Sequence, residues 1–139
     1  MDQVGFALPV IEGKTRDAEA FFEELESSRK RDYATSEQRI GVTKEAWYIQ
    51  HTPMGDLLVA YIESPDVANA LRLFSQSNDE FDQWFKRGLA NITGVDLNNP
   101  PPWPLSDLVS SFSATRTHHG NESHRGAASE RMSGEGEAR

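Results

Sequence analysis

The chain has no cysteine, which excludes disulfide bonds, thiolate catalysis and cysteine-ligated zinc sites. It also has no apolar run that approaches the roughly 18 residues of a membrane span. Its first residues, MDQVGFALPVIEGK, do not join a basic region to a long apolar stretch. Together these absences predict a cytoplasmic protein that has no membrane partner.

Basic residues are scarce relative to acidic ones. The net charge is −8 over 139 residues, and residues 1–112 hold 18 Asp and Glu against 10 Lys and Arg. An acidic domain repels the phosphate backbone, and the sequence has no basic stripe interleaved with aromatic residues. We therefore expect no nucleic-acid partner.

Large apolar side chains are almost absent from the last part of the chain. Between residues 113 and 139, Met132 is the one sizeable apolar residue. Such a stretch cannot bury enough surface to offset its ordering entropy. The sequence therefore predicts one folded domain over residues 1–112 and a disordered polar tail over residues 113–139.

The hydrophobic spacing of the predicted domain changes from strand to helix and back. An apolar run at residues 4–11 predicts the first strand, in which Pro9 should lie at an edge, a bulge or an end. Helical spacing follows Thr15, the predicted N-cap. Residues 32–40 are polar and fit either an extension of that helix or a loop.

The second half of the domain repeats this alternation. Residues 43–63 predict a β-hairpin, Pro65 marks a helix start, and Ser77 with Glu80 forms a capping box for a further helix. After a proline-rich connection, weak alternation over residues 105–112 predicts a last edge strand. This order is the split βαβ, or ferredoxin-like, arrangement. We predict an α+β fold whose four-stranded antiparallel sheet carries its helices on one face.

The hairpin register decides which side chains face the helices. A five-residue connection centred on Met54 gives these pairs: His51 with Leu57, Ile49 with Val59, and Trp47 with Tyr61. All six would share one face, and small Ala46 and Ala60 on the other face would admit the helices. A bare face this apolar favours a homodimer in which two sheets meet. A slip of one residue would exchange the faces of one strand.

Several stretches resemble a known superfamily. FALPVIEGKTRDAEAFFEEL resembles the strand, Gly-Lys turn and helix that begin many dimeric α/β-barrel proteins, including the antibiotic-biosynthesis monooxygenase type and its stress-responsive relatives. EAWYIQHTPMGDLLVAYIE, followed by NDEFDQWFKRGLANITGVD, is similar to a small bacterial family of unassigned function. The resemblance covers residues 6–112 and implies a dimeric α/β barrel. It implies no catalytic residue, because the superfamily hosts many chemistries.

The candidate site residues cluster on the predicted hairpin. His51 is the only histidine of residues 1–112 and could move a proton near neutral pH, with Tyr61 as a hydrogen-bond donor to an oxyanion. The predicted ligand-binding residues are Trp47, Tyr48, Ile49, Gln50, Val59 and Trp84. The alternatives are a partly exposed His51 satisfied by its turn and a Trp84 that only packs in the core. No metal site and no cofactor are expected.

Three functions follow from this interpretation. The first is binding of a small apolar or aromatic ligand by a homodimer. The second is a cofactor-free monooxygenase, cyclase or isomerase of a phenolic or polyketide-like substrate, with His51 as the base. The third is a structural dimer or adaptor without a ligand pocket.

Overall fold

The computed structural model describes residues 1–114. Within that range the chain forms the following elements: β1 (Asp2–Pro9), α1 (Thr15–Leu25), α2 (Lys30–Ile40), β2 (Lys44–Thr52), β3 (Gly55–Ser64), α3 (Val67–Gln76) and α4 (Glu80–Thr93). All of them belong to one compact unit, Met1–Leu108. None of these helices is long and apolar enough to cross a membrane. Of the predicted disordered tail, residues 115–139 lie outside the described residues, and its boundary stays a prediction.

The sheet is antiparallel and has the order β1-β3-β2. Pro9 ends the edge strand β1, as predicted, where its missing N–H costs no ladder bond. The predicted fourth strand is wrong for the residues described, because residues 105–112 contain no strand. Four prolines and Trp103 precede that segment, and its apolar residues are exposed. The α+β class and the split βαβ order of the remaining elements are confirmed.

The predicted hairpin register is wrong by one residue. Thr52 pairs with Gly55, so Pro53 and Met54 alone form the connection, and Trp47 pairs with Ala60. The turn closes locally: the Thr52 hydroxyl donates to the Gly55 carbonyl (2.6 Å) and accepts from the Met54 N–H (3.1 Å). Gly55 adopts a φ of 123°, which favours glycine. A two-residue turn therefore replaces the predicted five-residue one.

The slip changes the faces of the sheet. Trp47 and Ile49 share the helix-covered face with buried Leu58, Ala60 and Ile62. The prediction that Trp47 and Ile49 lie on the bare face is therefore wrong. The face turned away from the helices, here called the open sheet face, carries Tyr48, Gln50, Leu57, Val59 and Tyr61. It remains the more exposed side, since Tyr48 is 59% exposed.

The core fills the space between the sheet and the four helices. One buried cluster includes Phe21, Leu58, Phe85 and Leu89, and a second surrounds Val4 and Ile62. The N-terminal caps differ from those predicted. α1 starts at Thr15 after Lys14, which makes no side-chain cap bond. At α4, Asp79 rather than Ser77 is the N-cap, accepting from the Phe81 and Asp82 N–H groups.

The polar stretch at residues 32–40 is part of a separate helix, α2, which ends at Gly41 in the left-handed conformation (φ 91°). Four of its side chains lie at helical spacing on the side that meets the sheet and α4: Tyr33, Ser36, Glu37 and Ile40. This face of α2 turns the hydroxyl groups of Tyr33 and Ser36 and the carboxyl group of Glu37 towards the interior. It therefore positions the candidate site.

Candidate functional site

A small cavity lies beneath α2, between that helix, the helix-covered face of the sheet, α3 and α4. Its volume is about 40 Å³. Aromatic and aliphatic side chains supply most of the wall, and two glutamates and a serine interrupt it. The lining residues are Phe6, Tyr33, Ser36, Glu37, Ile40, Val42, Glu45, Trp47, Ile62, Leu71, Phe74, Phe81, Phe85 and Leu97. We call this space the inner cavity.

Glu45 of β2 is the acceptor at the centre of the polar wall. Its Oε2 accepts from the Tyr33 hydroxyl (2.8 Å) and from the Trp47 Nε1–H (2.7 Å). Glu45 and Trp47 are two residues apart on one strand, so both point to the helix-covered face. These two donors fix the carboxylate in position and orient the indole against the cavity.

Glu37 of α2 faces Glu45 and has a raised pKa. Burial is the largest cause that raises the pKa of Glu37 to about 10, followed by the charge of Glu45, the hydrogen bond between the two carboxyl groups and the charge of Asp82. Glu37 is thus a neutral acid at pH 7. Burial, then the Glu45 charge, also raises the pKa of Tyr33, which stays a hydroxyl donor. An acid and an acceptor carboxylate therefore stand side by side.

An open groove lies next to the inner cavity and shares part of its wall. It has a volume of about 210 Å³ and is lined by Lys30, Tyr33, Ala34, Glu37, Val42, Thr43, Lys44 and Glu45. We call it the outer groove. Tyr33, Glu37, Val42 and Glu45 line both spaces. The two carboxyl groups thus stand at the junction, where a molecule in the groove would reach them.

A buried carboxylate holds α2 against α4 behind the cavity. Asp82 is 0% exposed and accepts from the Ser36 hydroxyl (2.6 Å), the Arg39 guanidinium (2.6 Å) and the Ser77 hydroxyl (2.6 Å). Two of these donors belong to α2. Because Glu37 lies between them in sequence, the network fixes the helical turn that presents its carboxyl group to the cavity.

The structure separates the residues predicted to bind a ligand. Trp47 lines the inner cavity. Ile49 and Trp84 pack against the main core cluster, and Trp84 also stacks on Phe21 with a centroid separation of 4.8 Å. The remaining three, Tyr48, Gln50 and Val59, lie on the open sheet face. A role for them in binding stays a prediction.

The predicted catalytic pair does not come together. His51 lies at the hairpin end with a side chain 68% exposed, and its Nδ1 is 2.8 Å from Oδ1 of Asp56. The Thr15 hydroxyl donates to the same carboxylate (2.5 Å) and is the largest cause that lowers the pKa of Asp56, followed by His51. Tyr61 donates to Glu63 on the open sheet face (2.5 Å). Neither predicted residue lines the inner cavity or the outer groove, and their catalytic roles stay predictions.

Sequence reasoning missed Tyr33, Glu37 and Glu45. One available signal was the spacing of Tyr33, Glu37 and Ile40 at i, i+4 and i+7, which places them on one side of a helix. A second was Glu45, which shares a strand face with Trp47. Among residues 1–114, no group of three His, Cys, Asp or Glu side chains could hold a metal ion.

Two solved structures share this architecture. L-rhamnose mutarotase from Formosa agariphila superposes with a TM-score of 0.51 at 18% sequence identity, over 81% of this chain and 100% of its own. Tetracenomycin F2 cyclase from Streptomyces glaucescens, a type-II polyketide cyclase, gives a TM-score of 0.51 at 16% identity, over 83% and 100%. No family model and no curated protein matches the sequence. The likeness therefore shows a shared ferredoxin-like α+β fold.

Proposed function

We propose that the protein binds a small organic molecule at the junction of the inner cavity and the outer groove. The observation that carries this proposal is the pair of glutamates, Glu37 and Glu45, set in an apolar aromatic wall. A few convergent polar groups in a concave, mostly apolar surface are typical of ligand sites. A fold that only needed a stable core would gain more from apolar residues at these two positions.

The volumes of the inner cavity and the outer groove determine how a ligand would fit. Drug-sized ligands occupy pockets of roughly 300–1,000 Å³, whereas the inner cavity holds about 40 Å³ and the outer groove about 210 Å³. A ligand would therefore place a small head group between Glu37 and Glu45. The rest of it would lie in the groove against Tyr33, Ala34 and Thr43.

Blocking the groove tests this proposal. Ala34 is an exposed residue of α2 in the groove wall, and Ala20 is an exposed residue of α1 outside it. Ligand-observed NMR with a panel of small aromatic, polyol and amine fragments should detect binders to the wild type and to Ala20→Trp. The same fragments should lose binding to Ala34→Trp. Fragment binding that is equal in both variants, or absent from the wild type, would contradict the proposal.

A second candidate function is proton-transfer catalysis, which the neutral acid Glu37 beside the carboxylate Glu45 favours. In an aldose, Glu37 would give its proton to the ring oxygen while Glu45 takes the proton of the anomeric hydroxyl. The ring then opens and recloses without any oxidant. The solved structures of this fold include a sugar mutarotase and a polyketide cyclase, so the scaffold suits isomerase or cyclase chemistry.

Anomer exchange tests the catalytic proposal. Exchange spectroscopy on a panel of aldoses should show faster interconversion with the wild type than with buffer. Both Glu37→Gln and Glu45→Gln should reduce that rate by about 10²-fold or more. Glu23→Gln, at an exposed position of α1, is the matched control. Catalysis that survives in both site variants would exclude these roles.

We also propose that the open sheet face mediates a homodimer. It presents exposed Tyr48 beside half-buried Leu57, Val59 and Tyr61. An apolar surface of this kind is costly to leave in water. A second copy of the sheet would cover it.

A further inference from the structure

Within residues 1–114, neither Glu37 nor Glu45 forms an ion pair with a lysine or an arginine. Among the described residues that line the inner cavity, none is a lysine or an arginine. Arg39, the arginine of the last turn of α2, is engaged by Asp82 at 2.6 Å and Asp79 at 3.4 Å. The Glu45 carboxylate is satisfied by two neutral donors, Tyr33 and Trp47. A half-buried carboxylate without a counter-ion favours a ligand that supplies one.

The wall of the cavity also suits a cation. Tyr33, Trp47, Phe74 and Phe81 contribute aromatic rings to it. Ring faces attract ammonium groups, and the attraction is stronger where water is excluded. The protein already uses this interaction nearby, since Nζ of Lys86 lies 5.2 Å from the centroid of Phe74. The aromatic residues and the carboxyl pair therefore favour the same kind of ligand group.

The volume of the inner cavity and the charges along the outer groove restrict which ligands fit. A cavity of about 40 Å³ admits a group as compact as an ammonium and its first carbon, but not a ring. Lys30 and Lys44 stand along the outer groove. A second positive charge on the ligand would be repelled there, whereas a neutral or anionic tail would not. These features favour a monocation over a polyamine.

We infer that the site recognises the primary ammonium group of a small organic monocation, bound against the carboxyl groups of Glu37 and Glu45, with its tail in the outer groove. This inference rests on the proposed ligand-binding function and names the chemical class of the ligand. The ammonium donates to both carboxyl groups and faces the rings of Tyr33 and Trp47. It supplies the counter-ion that no residue of 1–114 provides to this carboxyl pair.

Binding of an ammonium group is coupled to the loss of a proton. In the free site Glu37 is neutral, because it is buried and faces Glu45 of β2 and Asp82 of α4, which together raise its pKa. The Tyr33 hydroxyl of the same helix donates to Glu45, and Lys30 and Lys44 stand in the adjoining groove. An ammonium ion beside it stabilises the ionised form, so Glu37 releases its proton as the ligand binds. Affinity for an amine therefore rises with pH for as long as the amine stays charged. An alkyl ammonium, like a lysine side chain with a pKa of about 10.4, stays charged through pH 8.

Titration calorimetry with n-butylammonium and its neutral analogue 1-butanol tests the inference. For the wild type, the affinity for n-butylammonium should rise up to about tenfold per pH unit between pH 6 and pH 8. Measurements in two buffers of different ionisation enthalpy should show release of about one proton. Glu37→Gln should abolish the pH dependence and the proton release, whereas Glu23→Gln should retain both. 1-Butanol should bind more weakly and without pH dependence.

Three outcomes would overturn the inference: no binding of n-butylammonium at pH 8, pH-independent binding, or binding no tighter than that of 1-butanol. The variant Ala34→Trp shows whether only the ammonium inference fails or whether the proposed ligand binding fails as well. If 1-butanol or another neutral fragment binds the wild type and loses binding in Ala34→Trp, the ligand site stands and only the ammonium class is wrong. If no probe of either class depends on Ala34, both proposals fail.

Discussion

Replacing Glu37 by glutamine should change the pH dependence of stability, because its folded-state pKa lies far above that of the unfolded chain. The ordinary glutamate value is 4.5 and the folded value is about 10. Between these values the folded protein keeps a proton that the unfolded chain releases. The stabilisation is fully present below pH 4.5 and is lost progressively as pH rises towards 10.

The magnitude follows from this difference. A group that is protonated only in the folded state lowers the free energy of unfolding by about 1.4 kcal/mol per pH unit. Between pH 6 and pH 8 the Glu37 contribution therefore falls by about 3 kcal/mol. Glu37→Gln keeps a neutral donor beside Glu45 and has no proton to lose. Its stability relative to the wild type should rise by about 3 kcal/mol over that interval.

Urea unfolding followed by circular dichroism at pH 6, 7 and 8 measures this difference. Comparing wild type with variant cancels the titration of the groups that do not interact with Glu37. Glu23→Gln, at an exposed position of α1, should give a curve parallel to that of the wild type. If Glu37→Gln also runs parallel to the wild type, Glu37 ionises in the folded state as it does in the unfolded chain, and the assignment of an acid in the cavity is refuted.

Three further predictions concern other parts of the molecule. Gly88→Ala should destabilise the protein by about 1–3 kcal/mol in urea, because the added methyl group would overlap the ring of Phe21; a gain in stability would contradict this packing. Asp82→Ala should cost about 1–3 kcal/mol by thermal unfolding, since it leaves the buried Ser36 hydroxyl without its acceptor; an unchanged midpoint would show that the network contributes little. Tyr48→Glu should shift the sedimentation coefficient from dimer to monomer while leaving the helical signal intact; identical sedimentation of both proteins would exclude the open sheet face as the interface.

The local elements of the fold were predictable from sequence, but the register of the hairpin was not. Thr15, Pro65 and Gly94 lie at or within two residues of helix ends, because capping and turn residues act locally. Both faces of β2 and β3 carry apolar residues, so the hydrophobic pattern does not distinguish two registers one residue apart. The two-residue turn sets the register, because Gly55 adopts a positive φ there.

The candidate site was beyond the reach of sequence patterns for a different reason. Tyr33 and Glu37 belong to a polar helix whose composition is that of a solvent-exposed segment. Only the packing of α2 against the sheet brings them to Glu45. The sequence favoured His51 as the proton-transfer residue, because the ordinary pKa of histidine lies near neutrality. In the structure the group with a strongly shifted pKa is Glu37, because burial and a neighbouring charge raise its pKa.

The most direct test of the acid pair is an NMR pH titration of the glutamate side-chain carboxyl carbons in the ¹³C-labelled protein. We expect one glutamate resonance to titrate with a midpoint well above pH 7 and to be absent from Glu37→Gln. If every glutamate instead titrates near the ordinary value of 4.5, the cavity holds no neutral acid at physiological pH. The proposed proton-transfer and proton-coupled binding roles would then be wrong.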